Sequence, residues 1–427
     1  MAPASASLLA ALALAALPAA ALRTCDAVAD CGAVADNATD SSPALSACAA
    51  PSSGCSTILF PAGAQFLAGS VDLSHSRNLK LQFLDGAGLW GSGDQRLYPV
   101  QLALPYQGPN VTQFRALVYG RNVSGLTIVG PTSARIDGCG WPWWRNASTL
   151  TIQRPKLVEI VDAEDLVFEG MTYANSAFWT HHPTFATRVR YSGVTVLAPR
   201  AVGNTDGIDP DSSTDVLIED CLIDVGDDGI SIKSGYHDET LALMPAANIL
   251  IRNTTVLSRN IAIGSACFGG IYNVSMVGGR IGDDEGSSPW AYKIKTHVPN
   301  GGVVSGITLS GVRLGKIAPN SWQQPHGGTA FDILLEQYGG GIDLSGRGLP
   351  QPPRTEIRDI VFDNIAITSA VSAGSIVVEP GFAVEGLVFG GVDFGNARLV
   401  RPWSCSGNVS GTSTADNSPA IPKACLG

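Results

Sequence analysis

The chain has 427 residues, 45% of them hydrophobic, with a formal net charge of -10. That acidity argues against nucleic acid and anionic membranes as partners, and it repels a polyanionic sugar unless the binding site carries its own cations. With 49 glycines and few Leu-, Glu- or Lys-rich runs, the composition favours many turns and short strands over helix bundles.

In chain order, Met1 to Ala21 is apolar and uncharged and ends in three alanines. This is the pattern of a secretory signal peptide cleaved near Ala19-Ala20-Ala21, which places the mature chain, residues 22–427, outside the cell or in a cell wall. No later run reaches ~18 uninterrupted apolar residues, so no membrane span is expected. None of the nine cysteines forms a CxxC pair, which argues against zinc. Cys25, Cys31, Cys48 and Cys55 cluster near the start, and Cys405 and Cys425 near the end, as local disulfides would. One cysteine is expected to be left over, and Cys139 is the candidate. Seven N-x-S/T sequons, at Asn37, Asn110, Asn122, Asn146, Asn253, Asn273 and Asn408, agree with secretion. Several border strand-like triplets, where Asn would be structural.

Ser41 to Ala50, "SSPALSACAA", reads as a short helix capped by Ser41 or Ser42, with Pro43 in its first turn. It would cover the open N-terminal end of a stack of strands. Apolar triplets then recur at Leu126-Thr127-Ile128, Leu166-Val167-Phe168, Val189-Arg190-Tyr191, Val216-Leu217-Ile218 and Ile249-Leu250-Ile251, and again at Ile307, Ile360 and Leu387. Spacings that include 23, 27 and 27 residues predict an all-β solenoid of stacked coils, each burying its inner face against its neighbours. Asn-Gly and Asp-Gly hairpins are too few for a sandwich. Tyr338 to Arg354, rich in Gly and Pro, reads as a surface loop, and about 400–427 as a C-terminal tail.

Carboxylates concentrate between Gly203 and Gly235, "GNTDGIDPDSSTDVLIEDCLIDVGDDGISIKSG". Asp206 and Asp227 are 21 residues apart, close to one coil, and Asp228 adjoins Asp227. Stacked coils lie ~4.8 Å apart, so the three acids can converge on one face. Like charges that close cannot all ionise freely, which would leave one carboxyl as a general acid beside ionised neighbours. Asp-Gly turns by composition are the plainer reading, and calcium ligation a second one. The acids at Asp209, Asp211, Asp215 and Glu219, and at Asp283-Asp284-Glu285, do not match an EF-hand. No P-loop, GxSxG or HExxH occurs.

"NTDGIDPDSS", "VLIEDCLIDVGDDGISIKSG", "IAIGS" and "YKIKT" follow one another in order, with "NSAFWTHHP" and "IDGCGWPWW" upstream. Together they resemble glycoside hydrolase family 28, the polygalacturonases and their relatives, over roughly residues 25 to 400. The resemblance implies a right-handed parallel β-helix and hydrolysis, with inversion, of α-linked galacturonic-acid-type (pectic) polysaccharide by a monomer without a cofactor or metal. It implies Asp227 as general acid, Asp206 and Asp228 as the pair that activates water, and Lys295 as the ligand of the substrate carboxylate. Tyr338 matches an active-site tyrosine loosely. Inversion leads one to expect carboxyls ~6.5–9.5 Å apart. Two positions depart from the family pattern. Arg259 stands where the family has a histidine, and Lys293 where it has an arginine, which points to shifted specificity.

Lys233 and His237 complete the candidate substrate-binding set, as a cleft cation and a rim residue. His181 and His182 are read as orienting a turn beside the cleft. Trp141, Trp143 and Trp144 either stack on sugar rings or pack a loop. The competing functions are a pectate-lyase-like eliminase and a non-catalytic glycan-binding β-helix.

Overall fold

The computed structural model describes residues 23–104, 111–257, 259–286, 288–298, 301–319, 327–336, 349–395 and 401–427. Tyr338 and most of the 338–354 loop lie outside the described residues, as does the leader 1–21.

The apolar triplets fall into one column. Leu126 pairs in parallel with Leu166, Leu166 with Val189, Val189 with Val216 and Val216 with Ile249. The column continues through Val274 to Ile307, Ile360 and Leu387. Val274-Ser275-Met276 fills a rung that sequence reading passes over, because serine and methionine dilute the β-branched signal. The result is a right-handed parallel β-helix, with sheets of 24 and 7 strands. Among the described residues, antiparallel pairing occurs between Val100–Leu102 and Thr112–Phe114, and between Gly235-Tyr236 and Leu243-Met244. Inward side chains stack on their own kind from coil to coil. Phe60 lies 4.0 Å from Phe83 and Phe168 lies 4.7 Å from Tyr191, both with parallel rings. Each coil thus buries its apolar face only against its neighbours.

Two of the corners are turned by a single residue in the left-handed region. Gly125, Asp165, Arg188, Asp215, Asn248, Asn273, Gly306, Asp359 and Gly386 form one such column, all with φ between 52° and 71°. Gly193, Asp220, Asn253, Gly278, Gly311 and Asn364 belong to the second. Gly, Asn and Asp tolerate this conformation best. The side chains also form ladders: Asn248 Nδ2 donates to Asp215 Oδ1 at 3.0 Å, Asn273 to Asn248 at 2.9 Å, and Asn253 to Asp220 at 2.6 Å. Two of the sequons, Asn253 and Asn273, are therefore structural turn residues.

The helix runs Ser42–Ala49, with Pro43 in its first turn and Ser41 before it; the Ser41 side chain does not cap it, and Asp40 Oδ1 accepts from the Ser42 N–H at 3.0 Å. Disulfides join Cys25 to Cys55, Cys31 to Cys48, and Cys405 to Cys425. Three cysteines, not one, remain free: Cys139, Cys221 and Cys267. An odd total fixes only parity. Cys221 and Cys267 are buried on separate coils, where each fills space as a small hydrophobe. The segment read as a tail carries the last rungs: Ser404–Ser406 pairs with Ser375–Val377, and Asn408–Ser413 with the strand from Ala383.

Candidate active site

Asp206, Asp227 and Asp228 come from two adjacent coils. Ile208 lies opposite Ile230 and Asp211 opposite Lys233, an offset of 22 residues. Carried back along the strands, that offset stacks Asp206 on Asp228, and the Gly207 N–H donates to the Asp228 carbonyl at 3.0 Å. The 21-residue spacing that matched Asp206 with Asp227 is thus one short of the coil. Asp227 is turned out of the ladder, where its Oδ2 accepts from the Asn204 N–H at 2.7 Å and its Oδ1 from the Asp228 N–H at 3.0 Å. The neighbouring glycines permit this crowding. A Cβ on Gly207 would meet the Gly229 carbonyl oxygen at 2.3 Å, and one on Gly226 would meet that of Val202 at 2.0 Å.

One carboxylate oxygen from each acid lies within 4.8 Å of those of the other two. Cations surround the acids. Lys295 Nζ donates to Asp228 Oδ2 at 3.0 Å, Lys233 Nζ lies 3.2 Å from Asp209 and 3.8 Å from Asp206, and the Arg259 guanidinium pairs with Asp227. Lys293 sits 3.4 Å from Asp332 and over the Trp290 ring. The basic shell that the sequence suggested is brought together around the trio.

The environment separates the carboxyls. Burial, reinforced by the charges of Asp209 and Asp227, pushes Asp206 well above the usual carboxylate range. Asp228 is buried too, but Lys295, Lys233 and Arg259 outweigh burial and hold it down at about 2. The acids are therefore not equivalent: burial biases Asp206 toward its protonated form, and the surrounding cations bias Asp228 toward its ionised one. Burial also raises Asp209 to about 6, against the pull of Lys233 and His182.

Residues 101–326, more than half of the chain, match the model of Glycosyl hydrolases family 28. The chain belongs to that family. A Vitis vinifera protein named "Probable polygalacturonase" is 30% identical over 376 residues, covering 85% of this chain and 72% of that one. An exopolygalacturonase structure from Thermotoga maritima superposes with a TM-score of 0.66 at 21% identity, covering 86% of each chain. The polygalacturonase of Erwinia carotovora ssp. carotovora gives 0.65 at 19%, covering 89% of this chain and 95% of that one. Both structural likenesses bear on the fold alone.

Other residues of this family 28 glycosidase lie away from the trio. His237 pairs with Asp162 at 2.8 Å, in a cluster with Arg121 and Asp238. His181 does not orient a turn. It lies in the core strand His181–Ser192, wholly buried against Phe168, Tyr173 and Tyr191, and burial pushes it down to about 3. His182, on the opposite face of that strand, links Glu159 to Asp211 at 3.2 and 3.1 Å. Trp143 packs in the core against Tyr98 and Phe114, Trp144 donates to the Ser176 carbonyl, and Trp141 is exposed. Sequence reading missed the buried pair Lys156–Glu159 (2.5 Å) and the role of Asp209. Asp209 stood inside a quoted motif, but its alternation with Ile208 marks the outward face only once the register is known.

Three shifts make stability depend on pH. Asp209, raised in the folded state, contributes stability that is full below ~4 and is lost as pH rises through about 6. Asp228, depressed, contributes stability that is present above ~4 and is lost as pH falls through about 2. Buried His181, held down at about 3, contributes the opposite slope up to ~6.5, because its unfolded form binds a proton that the folded form does not. Calorimetry between pH ~4 and ~6 should therefore show Asp209→Asn gaining in melting temperature on the wild type as pH rises; a difference independent of pH would contradict the assignment.

Proposed function

We propose that this glycosidase is secreted and hydrolyses a pectic polysaccharide of α-linked galacturonic-acid-type residues. Asp227 protonates the departing glycosidic oxygen, the ionised Asp228 takes a proton from the attacking water, which Asp206 helps to hold, and attack from the far side inverts the anomeric centre. Lys295, Lys293 and Arg259 receive the substrate's carboxylates, and Lys233 keeps Asp206 and Asp209 in place. The observation that carries this reading is the ring of cations around three converged acids, in a chain whose net charge is -10. Three disulfides agree with an oxidising compartment.

The test is incubation with homogalacturonan, rhamnogalacturonan and xylogalacturonan. New reducing ends without ultraviolet-absorbing unsaturated ends are expected from at least one. Unsaturated products, lost on chelation, would favour elimination. An anionic substrate should also make KM rise steeply with salt, since screening shortens to about 3 Å at 1 M. A KM indifferent to salt would point to a neutral sugar.

A further inference from the structure

A polymer crossing the coils past the trio would follow the outward column Glu159, His182, Asp209 toward the N-terminus. Glu159 lies opposite His182, and the neighbouring pair His181–Ile208 sets Asp209 beside His182. That path is filled by protein. The hairpin of Val100–Leu102 and Thr112–Phe114 lies over it. Gln113 Nε2 donates to Glu159 Oε2 at 3.2 Å and Gln101 Nε2 to the same oxygen at 3.4 Å, while Lys156 Nζ donates to Gln113 Oε1 at 2.8 Å. Gln153 extends the roof, exchanging backbone hydrogen bonds with Thr112 and Phe114 at 2.9 Å. Beneath it the Lys156 and Glu159 side chains are 1% and 2% exposed, against 29% for Lys295 on the other side of the trio.

Arg154 follows directly at the edge of this roof, facing the acids. Its guanidinium lies over the Phe178 ring, 5.2 Å from the centroid, and its Nη2 reaches the Gly203 carbonyl and Asn204 Oδ1 only at 3.4 and 3.5 Å. Among the described residues no carboxylate is within ion-pair distance of it, and Asp206 and Asp227 are the acids whose charges act on it. A half-buried guanidinium with weak partners, where the covered path meets the acids, is suited to bidentate capture of a carboxylate.

We propose that the cleft accepts the end of a uronic acid chain rather than its middle, and that Arg154 holds the carboxylate of the terminal residue. This rests on the hydrolytic reading above. The wild-type enzyme, given homogalacturonan, should release one small product from the start while viscosity falls slowly. A ladder of intermediate sizes with rapid loss of viscosity would overturn chain-end action and leave hydrolysis intact; absence of hydrolysis on every pectic polymer would overturn the underlying reading as well. Arg154→Gln should raise KM for oligogalacturonides about 10–100-fold, the effect of losing a charged hydrogen bond, with a smaller change in kcat, and Arg154→Lys should recover part of it. Methyl esterification of the terminal carboxylate should raise the wild-type KM to a similar degree and leave that of Arg154→Gln little altered. Equal sensitivity of both enzymes to the ester would overturn the role given to Arg154.

Discussion

Asp227→Asn is expected to lower turnover by roughly 10²–10⁴ while substrate binding changes little. The amide keeps the side chain's shape and one acceptor oxygen, so either the Asn204 N–H or the Arg259 contact is kept, but it has no acidic proton to give to the leaving oxygen. The loss should shrink for a substrate with an activated leaving group, which departs without protonation. Asp206→Asn and Asp228→Asn should show no such rescue, because they impair water attack. Steady-state kinetics on both substrate types reads the difference. Full activity of Asp227→Asn on an unactivated glycan would falsify its assignment as the acid.

Lys156→Met is expected to cost about 3–5 kcal/mol of stability, because it strands the Glu159 carboxylate in a dry site. Lys156 and His182 contact that carboxylate and hold it at about 2 against burial. Adding Glu159→Gln should recover most of the loss, since removing both charges leaves nothing uncompensated. Equilibrium denaturation monitored by circular dichroism measures both variants. A single variant as stable as the wild type would mean that water reaches Glu159 beneath the hairpin.

The barrel was legible because its physics is local and periodic. Each rung needs an inward apolar triplet and a Gly, Asn or Asp corner, and both recur visibly from Leu126 to Phe389. Only the rung at Val274 escaped, for want of β-branched residues. The trio was legible because its acids sit beside glycines that few other arrangements require. What surrounds it was less so. That Asp206 stacks on Asp228 depends on one residue of register, which triplet spacing cannot resolve. Lys156, Glu159 and His182 are far apart in role but share one face only after the strands Val158–Glu169 and His181–Ser192 align. The hairpin that roofs them lies between recognisable rungs and has no Asn-Gly signal of its own. Cys221 and Cys267 show the converse: the count left one thiol over, but these two are also free, and their burial gives packing.

The single-residue corners limit how such a molecule can change length. An extra residue at Asp215 or Asn248 would shift the following strand by one position and turn its core side chains out to water. Insertions and deletions are therefore better tolerated in the segments flanking the strands on the acid-bearing face, where the paired strands Val100–Leu102 and Thr112–Phe114 and the excursion from Tyr236 to Leu243 are found. Those segments are the walls of the cleft. Length variation that survives in a lineage is steered toward the substrate, so a new specificity can arise by remodelling one wall while the barrel and its three aspartates stay untouched.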